Sequence, residues 1–403
     1  MNQVSTIERR KLSLAEFAAL TAAMISMVAL SIDIMLPVVE EIAVEMGEMD
    51  ANAAQLIIIS LFTGLAIGQL LYGPVSDTVG RKPAIGVGFG IFIFGTIICL
   101  VARDFDTMLL GRFLQGLGAA APRIVSMSIV RDLYSGREMA KVTSIIMGFF
   151  ILVPALAPAI GQGIVIFAPW RMIFYVLLGQ AVLVLFWFWM RQNETLRPEY
   201  RREFSLINIC KRAWEVLTTR ISFWYTCAAG IVFGAFIGYL ITSPQLFKDL
   251  YGIDDKFPLY FGVLALFIGS ASFFNARLVV RLGMRKLCLM AVTVQMIVSL
   301  LFLLLAWQQG GTLPLAVFML WAGIVFFMMG FLFGNFNAIA LEPLGHIAGV
   351  GAAVVGSLST FLSLGLGRMI GAAYDQSLLP LLASFAILGL MSILVMKWAD
   401  RTS

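Results

Sequence analysis

The stretch GPVSDTVGRKP (residues 73–83) joins two apolar runs, at about 53–74 and 83–102, through a short connection that carries one acidic and two basic residues. A helix needs about 20 apolar residues to cross a bilayer, and each run is that long. Gly73 and Gly80 would permit a tight turn and close contact between the two helices. The stretch therefore predicts a hairpin of two membrane-spanning helices with a charged turn.

The rest of the chain repeats this pattern. Of its 403 residues, 60% are hydrophobic and 13% are charged, whereas soluble domains average roughly 45–50% and about 25%. We therefore predict an all-α membrane protein with twelve transmembrane helices. The predicted spans lie at about 14–38, 53–74, 83–102, 107–129, 141–165, 170–191, 222–244, 257–281, 285–306, 312–341, 347–371 and 374–396.

The basic residues predict the orientation of these spans. If both termini are cytoplasmic, the inner segments hold 21 of the 28 Lys and Arg residues, and the outer loops hold four. Inner loops of membrane proteins are enriched in Lys and Arg, so we expect both termini in the cytoplasm. The net charge of +5 is then explained by topology, and no nucleic-acid partner is expected.

One long connection, residues 192–220, divides the chain. Within it, SLINICKRAWEVL (205–217) has apolar and polar residues on opposite helical faces, which predicts an amphipathic helix on the inner membrane surface. The connection would separate an N-terminal six-helix bundle, residues 1–191, from a C-terminal one, residues 221–403.

The two halves carry a faint repeat. DTVGRKPA (77–84), after the second span, has a degenerate echo in VRLGMRKLC (280–288), after the eighth span. Two parallel six-span repeats form a pseudo-symmetric pair whose binding site lies between them near the middle of the bilayer.

Asp33 is an acidic residue inside the first span, where a charge is costly and usually has a partner. It lies roughly 7 Å outward of the bilayer midplane, and Arg112 of the fourth span lies roughly 9 Å outward at 1.5 Å per residue. Burial favours the neutral carboxyl and a nearby guanidinium favours the carboxylate. We expect Asp33 to couple proton movement, with Arg112 biasing it; the alternative is a static ion pair.

Arg123 lies eleven residues after Arg112 and about 20° from its direction on the helix. Gln115 lies near the same face. Arg123 would select substrates with a carboxylate or another anionic group, with Gln115 as a further contact. Alternatively, its side chain extends to the cytoplasmic surface.

The tenth span contributes three further candidates for substrate contact, which are Trp321, Asn335 and Asn337. Asparagines in a span also bond neighbouring helices, and a tryptophan also faces lipid, so both readings stay open at this point.

Several motifs resemble those of the major facilitator superfamily, specifically its twelve-spanner drug:proton antiporters of the Bcr/CflA type. They are GPVSDTVGRKP (73–83), RFLQGLGAA (112–120), VRDLYSG (130–136), PALAPAIGQG (154–163), DIMLP (33–37) and PLGHIAGVGAAVVG (343–356). The resemblance implies the major facilitator fold, and an inner gate that holds one state of a rocking cycle; charges that only determine the topology are the alternative. The predicted gate residues are Gly73, Asp77, Gly80, Arg81, Lys82 and Arg131.

The fifth span resembles the antiporter signature of that superfamily. Pro154 and Pro158 remove backbone donors, and Gly161 allows close packing, so a bent, tightly packed helix is expected. A kink without functional consequence is the alternative.

The resemblance and the charged residues together predict proton-coupled efflux by alternating access. The expected substrate is a small amphipathic or partly anionic compound, such as a phenicol-type drug or a secreted metabolite of the siderophore type. The proton would be the coupling ion, with no other cofactor, and the protein a monomer in the bacterial inner membrane. Alternatives are a proton symporter that imports a metabolite and a non-transporting scaffold or sensor.

An enzymatic function is not expected. The four cysteines have no metal-site spacing, and His346 is the only histidine. The sequence also lacks a GxxxxGK[ST] loop, which argues against ATP as the energy source.

Overall fold

The computed structural model describes residues 12–48, 52–196, 198–201 and 205–401. This part of the chain contains fourteen α-helices, of which α1, α3 to α7 and α9 to α14 correspond to the predicted spans. The helices are α1 (Leu14–Asp33), α2 (Val39–Glu45), α3 (Leu56–Val79), α4 (Arg81–Val101), α5 (Phe105–Leu133), α6 (Gly136–Phe167), α7 (Arg171–Arg191), α8 (Leu206–Thr218), α9 (Arg220–Tyr251), α10 (Phe257–Leu282), α11 (Met284–Gln308), α12 (Leu315–Leu341), α13 (Ala348–Ala372) and α14 (Leu379–Asp400).

Within the described ranges, twelve segments are long and apolar enough to cross a bilayer, which confirms the predicted number. We call the end of the molecule that carries Arg81 and Arg285 the inner end, following the predicted orientation. The basic residues at positions 9–11, which contributed to that prediction, lie outside the described residues.

The first predicted span, at about 14–38, is confirmed, but its helix is interrupted. Helix α1 ends at Asp33, a 3-10 turn follows at Leu36–Val38, and α2 begins at Val39. Pro37 accounts for the break, because proline has no backbone N–H and disfavours the α conformation of the residue before it. The break places Asp33 at a helix end inside the protein.

Small residues hold the N-terminal helices together. Helix α5 packs between α3 and α4, and its glycines lie directly against their backbones. A Cβ atom on Gly116 would lie 1.8 Å from the carbonyl oxygen of Leu61 in α3, and one on Gly118 would lie 2.3 Å from the nitrogen of Phe92 in α4. Such contacts allow backbones to approach closely, as is usual between membrane helices.

The C-terminal helices α9 to α14 form a second group, which meets the first where α3 packs on α13 and α6 packs on α10. The turns before α4 and α11 have the same unusual backbone shape. Gly80 has φ 109° and ψ 160°, and Gly283 has φ 76° and ψ 154°. Residues with a side chain rarely adopt positive φ, so the glycine in each turn is required by its conformation.

Helix α8 lies in the connection between the two groups. Ile207 and Trp214 are exposed, as is usual for a helix whose apolar side rests on a membrane surface. His346, in the turn after α12, lies 2.6 Å from Glu215 of α8 and ties the connection to the C-terminal group.

Candidate functional site

Asp33 is the last residue of α1 and is buried, with 5% of its surface exposed. Its carboxyl group forms no hydrogen bond or ion pair with any residue that the structure describes. An unpaired charge inside a membrane protein is costly, and such residues commonly mark proton or substrate pathways. The buried position of Asp33 agrees with its place inside the first predicted span.

Helix α6 contacts the chain immediately beside Asp33. A Cβ atom on Gly161 would lie 2.1 Å from the carbonyl oxygen of Ile34, so only glycine fits at that position without a shift. Pro154 and Pro158 lie inside the same helix, as the sequence predicted. The conspicuous residues of the fifth span thus belong to the helix that packs on the end of α1.

Arg112 is fully buried and contacts three helices. Its guanidinium donates to the carbonyl oxygen of Ser31 in α1 (2.8 Å), to that of Ile57 in α3 (3.3 Å) and to the side chain of Gln115 (2.8 Å). Because α1 ends at Asp33, the carbonyl of Ser31 is among the last four of that helix, which lack partners within it. A cation also interacts favourably with the negative end of the helix dipole.

These contacts replace the pairing that the sequence suggested. Arg112 caps the end of α1 and makes no ion pair with Asp33 in the part of the chain that is described. The similar depths of Asp33 and Arg112 in their predicted spans do not determine the directions in which the two side chains point. The described residues therefore do not form the static ion pair between Asp33 and Arg112, which was the alternative to a role of Asp33 in proton coupling.

The prediction that Gln115 contacts substrate disagrees with its position. Gln115 is fully buried, and its amide donates to the hydroxyl of Thr96 in α4 at 2.9 Å while its oxygen accepts from Arg112. Its angular distance from Arg112 on the helix turns it toward α4. Gln115 therefore links α4 to α5 through hydrogen bonds.

Arg123 is exposed although it lies inside α5. Helix α4 contacts α5 at Gly118 and Ala121, which lie about 140° and about 160° from Arg123 at 100° per residue. Ser126 lies about 60° to one side of Arg123 and contacts α1. Ala120 lies about 60° to the other side of Arg123 and contacts α3. Arg123 therefore points between α1 and α3, away from α4, into open space on the inner half of the bundle.

Two of the three tenth-span candidates do not face open space. Trp321 is fully buried and donates from its indole nitrogen to Ser299 of α11 at 3.1 Å. Asn335 is buried and donates to Asn275 of α10 at 2.8 Å. Both side chains bond neighbouring helices, which was the alternative reading for the asparagines.

Asn337, in contrast, is exposed, and its amide donates only to the carbonyl of Phe333 one turn earlier among the described residues. It lies about 160° from Trp321 on the helix, so it faces away from α11. Phe333 is 37% exposed, and its ring stacks on Phe233 of α9 with centroids 4.5 Å apart. This aromatic pair could not be predicted from the sequence, because phenylalanines occur in most spans.

The predicted inner gate is centred on Arg81. Its guanidinium bonds Asp77 (2.5 Å), Asp132 at the end of α5 (3.0 Å) and the hydroxyl of Ser76 (2.8 Å). Glu194, just after α7, accepts from the backbone N–H groups that begin α4. The sequence reading missed Asp132 and Glu194, although both follow predicted spans at the inner end.

The gate also reaches the second group of helices. A Cβ atom on Gly349, in the first turn of α13, would lie 3.5 Å from a carboxylate oxygen of Asp77. One on Gly73 would lie 3.4 Å from the Cβ of Ala353, also in α13. The GPVSDTVGRKP stretch therefore forms the inner contact between α3 and α13.

Two predicted gate residues point elsewhere. Lys82 donates to the carbonyl of Trp189 in α7 at 2.9 Å, and its ammonium lies 5.1 Å from the centre of that indole ring. Arg131 is exposed and bonds Ser128 of its own helix at 3.4 Å. These bonds lie within the first bundle, since a basic residue beside the gate can also bind its own helix or a neighbouring helix of its bundle.

At the outer end the two groups are tied by polar contacts. Glu40 pairs with Lys248 at 2.6 Å. Gln55 donates to the side chain of Gln245 at 3.1 Å and to the carbonyl of Gly371 at 3.4 Å. Among the described residues, polar contacts thus join the two groups at the outer end, while Arg123 and Asn337 are exposed in the inner half.

Known proteins of similar sequence are membrane transporters. The profile described as Major Facilitator Superfamily matches residues 12–371. The chain is 31% identical, over 85% of both sequences, to an uncharacterized MFS-type transporter, YdgK, of Bacillus subtilis. It is 29% identical, over 90% of both, to a bicyclomycin resistance protein homolog of Haemophilus influenzae. It is also 30% identical to the multidrug resistance protein MdtL of Klebsiella pneumoniae, over 90% of this chain and 91% of that one.

The fold also matches solved transporters. The human organic anion transporter MFSD10 superposes with a TM-score of 0.72 at 16% identity, over 96% of this chain and all of that one. At this identity the likeness concerns the fold. The helices, the repeated inner turns and the sequence match lead to the same conclusion. This protein is a multi-pass membrane transporter, is not an enzyme, and belongs to the major facilitator superfamily.

Proposed function

We propose that this transporter exports a small amphipathic or partly anionic compound in exchange for protons, and that Asp33 is the group that binds and releases the proton. The observation that carries the proposal is the position of Asp33, which is buried and without a partner among the described residues while Arg112 bonds backbone carbonyls. A charge without a counterion is costly there. Its protonation is therefore expected to change when alternating access changes its contact with water.

The packing of α6 supports a link between this proton and the conformational change. Gly161 lies against Ile34, the residue after Asp33, and α6 also packs on α10 of the other bundle. A movement of the bundles against each other would therefore act on the end of α1. The proton that moves down its gradient supplies the energy, since one charge that crosses 100 mV contributes about 2.3 kcal/mol.

Export rather than import is supported by the names of the relatives, which are a bicyclomycin resistance protein homolog and a multidrug resistance protein. Both come from bacteria, so we place the transporter in the bacterial cytoplasmic membrane, with both termini inside as the basic residues predict. The proposal that the substrate is partly anionic rests on Arg123, an exposed basic residue within a membrane-spanning helix.

The test uses purified protein in liposomes that carry a pH gradient and an internal pH dye. Chloramphenicol, ethidium and 2-naphthoate serve in turn as neutral, cationic and carboxylate-bearing compounds. Proton flux that depends on a compound and disappears in Asp33→Asn would support the proposal. Movement of compound and proton in the same direction would show a symporter, and unchanged coupling in Asp33→Asn would exclude Asp33 as the coupling residue.

A further inference from the structure

We infer that the cavity between the two bundles binds aromatic carboxylates, with the carboxylate on Arg123 and the aromatic ring against the Phe233–Phe333 pair. The inference names a substrate class for the transport activity proposed above and rests on that proposal. It is carried by a guanidinium without an acidic partner among the described residues and by a partly exposed aromatic surface, which lie in opposite bundles.

The guanidinium of Arg123 has no acidic partner in the part of the chain that the structure describes. Its direction, between α1 and α3 and away from α4, points to the interior between the bundles. Arginine presents several N–H donors in a planar fork that matches the two oxygens of a carboxylate. A ligand with a carboxylate would supply the counterion that the described residues do not.

The aromatic surface lies on the other bundle. Phe233 and Phe333 are stacked at an interplanar angle of 19°, and Phe236 meets the ring of Phe333 edge-on at 5.8 Å. Phe333 remains 37% exposed, so part of its ring can contact a ligand. An offset or edge-to-face contact with another aromatic ring is worth about 0.5–1.5 kcal/mol beyond the apolar surface it buries.

The two features lie at the same level of the molecule. Arg123 is the nineteenth residue of α5, Phe333 is the nineteenth residue of α12, and both helices run from the outer to the inner end. Asn337, one turn closer to the inner end, is exposed beside Phe333 and offers its amide oxygen. A compound with a ring at one end and a carboxylate at the other is therefore the class of ligand that we expect to contact both α5 and α12.

Direct binding tests the inference separately from transport. The full-length protein in detergent is titrated with 2-naphthoate, with its neutral analogue 2-naphthamide and with cyclohexanecarboxylate, and heat release is measured. The native protein should bind 2-naphthoate about tenfold or more tightly than 2-naphthamide, because a charge-assisted pair is at stake. It should also prefer 2-naphthoate to cyclohexanecarboxylate, because only the former has an aromatic ring.

Two variants assign the preferences to residues. Arg123→Gln should reduce the preference for the carboxylate to about twofold or less while the amide binds as before, and Arg123→Lys should retain part of it. Phe333→Leu should remove the preference for the aromatic ring. Arg368→Gln and Phe274→Leu, which change an exposed arginine of α13 and an exposed phenylalanine of α10, are matched controls that should leave both preferences intact.

Equal binding of the amide and the carboxylate by the native protein would overturn the inference, as would no binding or a preference that survives in Arg123→Gln. Asp33→Asn distinguishes this failure from that of the proposed function. If Asp33→Asn loses proton coupling while Arg123→Gln keeps the preference, the exporter stands and the substrate class falls. If Arg123→Gln loses the preference while Asp33→Asn still couples protons, the binding site stands and the coupling role falls.

Discussion

The two bundles differ in their interiors, at positions counted equally from the starts of corresponding helices. Asp33 is the twentieth residue of α1, and Tyr239 is the twentieth residue of α9, the first helix of the second bundle. Arg112 and Ala322 are both the eighth residues of their helices, α5 and α12. The first bundle therefore has an acid and a cation where the second has an aromatic ring and a methyl group.

The surroundings differ in the same way. Arg112 is bonded to backbone and side-chain oxygens of three helices. Tyr239 is fully buried, with its ring 4.7 Å from that of Phe326 and 6.4 Å from that of Phe261. At these positions the first bundle has a buried acid and a hydrogen-bonded cation, and the second has packed aromatic rings. This difference fits proton coupling in one bundle and binding of an apolar group in the other, as we propose.

At the inner end, in contrast, the two bundles have remained alike. Arg81 pairs with Asp132 at the end of α5, and Arg285 lies 3.7 Å from Glu342 just after α12. A further ion pair joins Arg285 to Asp400 at the end of α14, at 3.3 Å. The two bundles therefore have similar turns and ion pairs at the inner end, whereas the residues in their interiors differ.

The largest difference between the two inner ends is expected on removal of their arginines. In Arg81→Gln two acidic side chains lose a partner whose side chain is only 5% exposed, which should cost about 3 kcal/mol of stability. Arg285→Gln removes ion pairs of a side chain that is 37% exposed and should cost less than about 1 kcal/mol. Thermal unfolding in detergent compares the two variants, and equal losses would contradict the difference in burial.

A smaller effect is expected from a methyl group added beside Asp33. The new Cβ atom in Gly161→Ala would lie 2.1 Å from the carbonyl oxygen of Ile34. The shift it forces should cost about 1–3 kcal/mol of stability and slow transport. Gly163→Ala is the matched control, since a Cβ atom on Gly163 would have no neighbour within 4 Å outside the backbone of its own helix. Melting temperature and transport rate are measured for both; an unaffected Gly161→Ala would show that α6 does not constrain the end of α1.

The smallest effect is expected at the equivalent position of the second bundle. The hydroxyl of Tyr239 is buried and has no hydrogen-bond partner among the described residues. Tyr239→Phe should therefore leave stability unchanged or raise it by up to about 1 kcal/mol, because an unsatisfied polar group is removed. Proton-coupled flux in liposomes should stay within about twofold of the native rate. A loss of coupling would show that both bundles handle the proton.

The helices could be predicted from the sequence because membrane spans depend on a simple quantity, the length of an apolar run. The break of the first span at Asp33 was missed even though Pro37 indicates one, since the apolar run continues through it to Val39. Hydropathy measures whether a segment prefers lipid and is insensitive to a single missing backbone donor.

The candidate site could be predicted in part. The sequence placed Arg123 about 20° from Arg112 on one helix, because helical periodicity determines relative directions; which helices lie on that side required the structure. The partners of Arg112 could not be predicted, since they are backbone carbonyls made available by the end of α1. The stacked pair of Phe233 and Phe333 depends on the packing of α9 against α12, which one sequence with many phenylalanines does not determine.

The central claim, that Asp33 exchanges the coupled proton, is tested most directly by proton release on binding. Purified protein in weakly buffered detergent is mixed in turn with chloramphenicol, bicyclomycin and 2-naphthoate, and a pH dye reports the protons released. We expect at least one compound to release protons from the native protein and from Tyr239→Phe, and no compound to release protons from Asp33→Asn. Equal release from Asp33→Asn would contradict the claim.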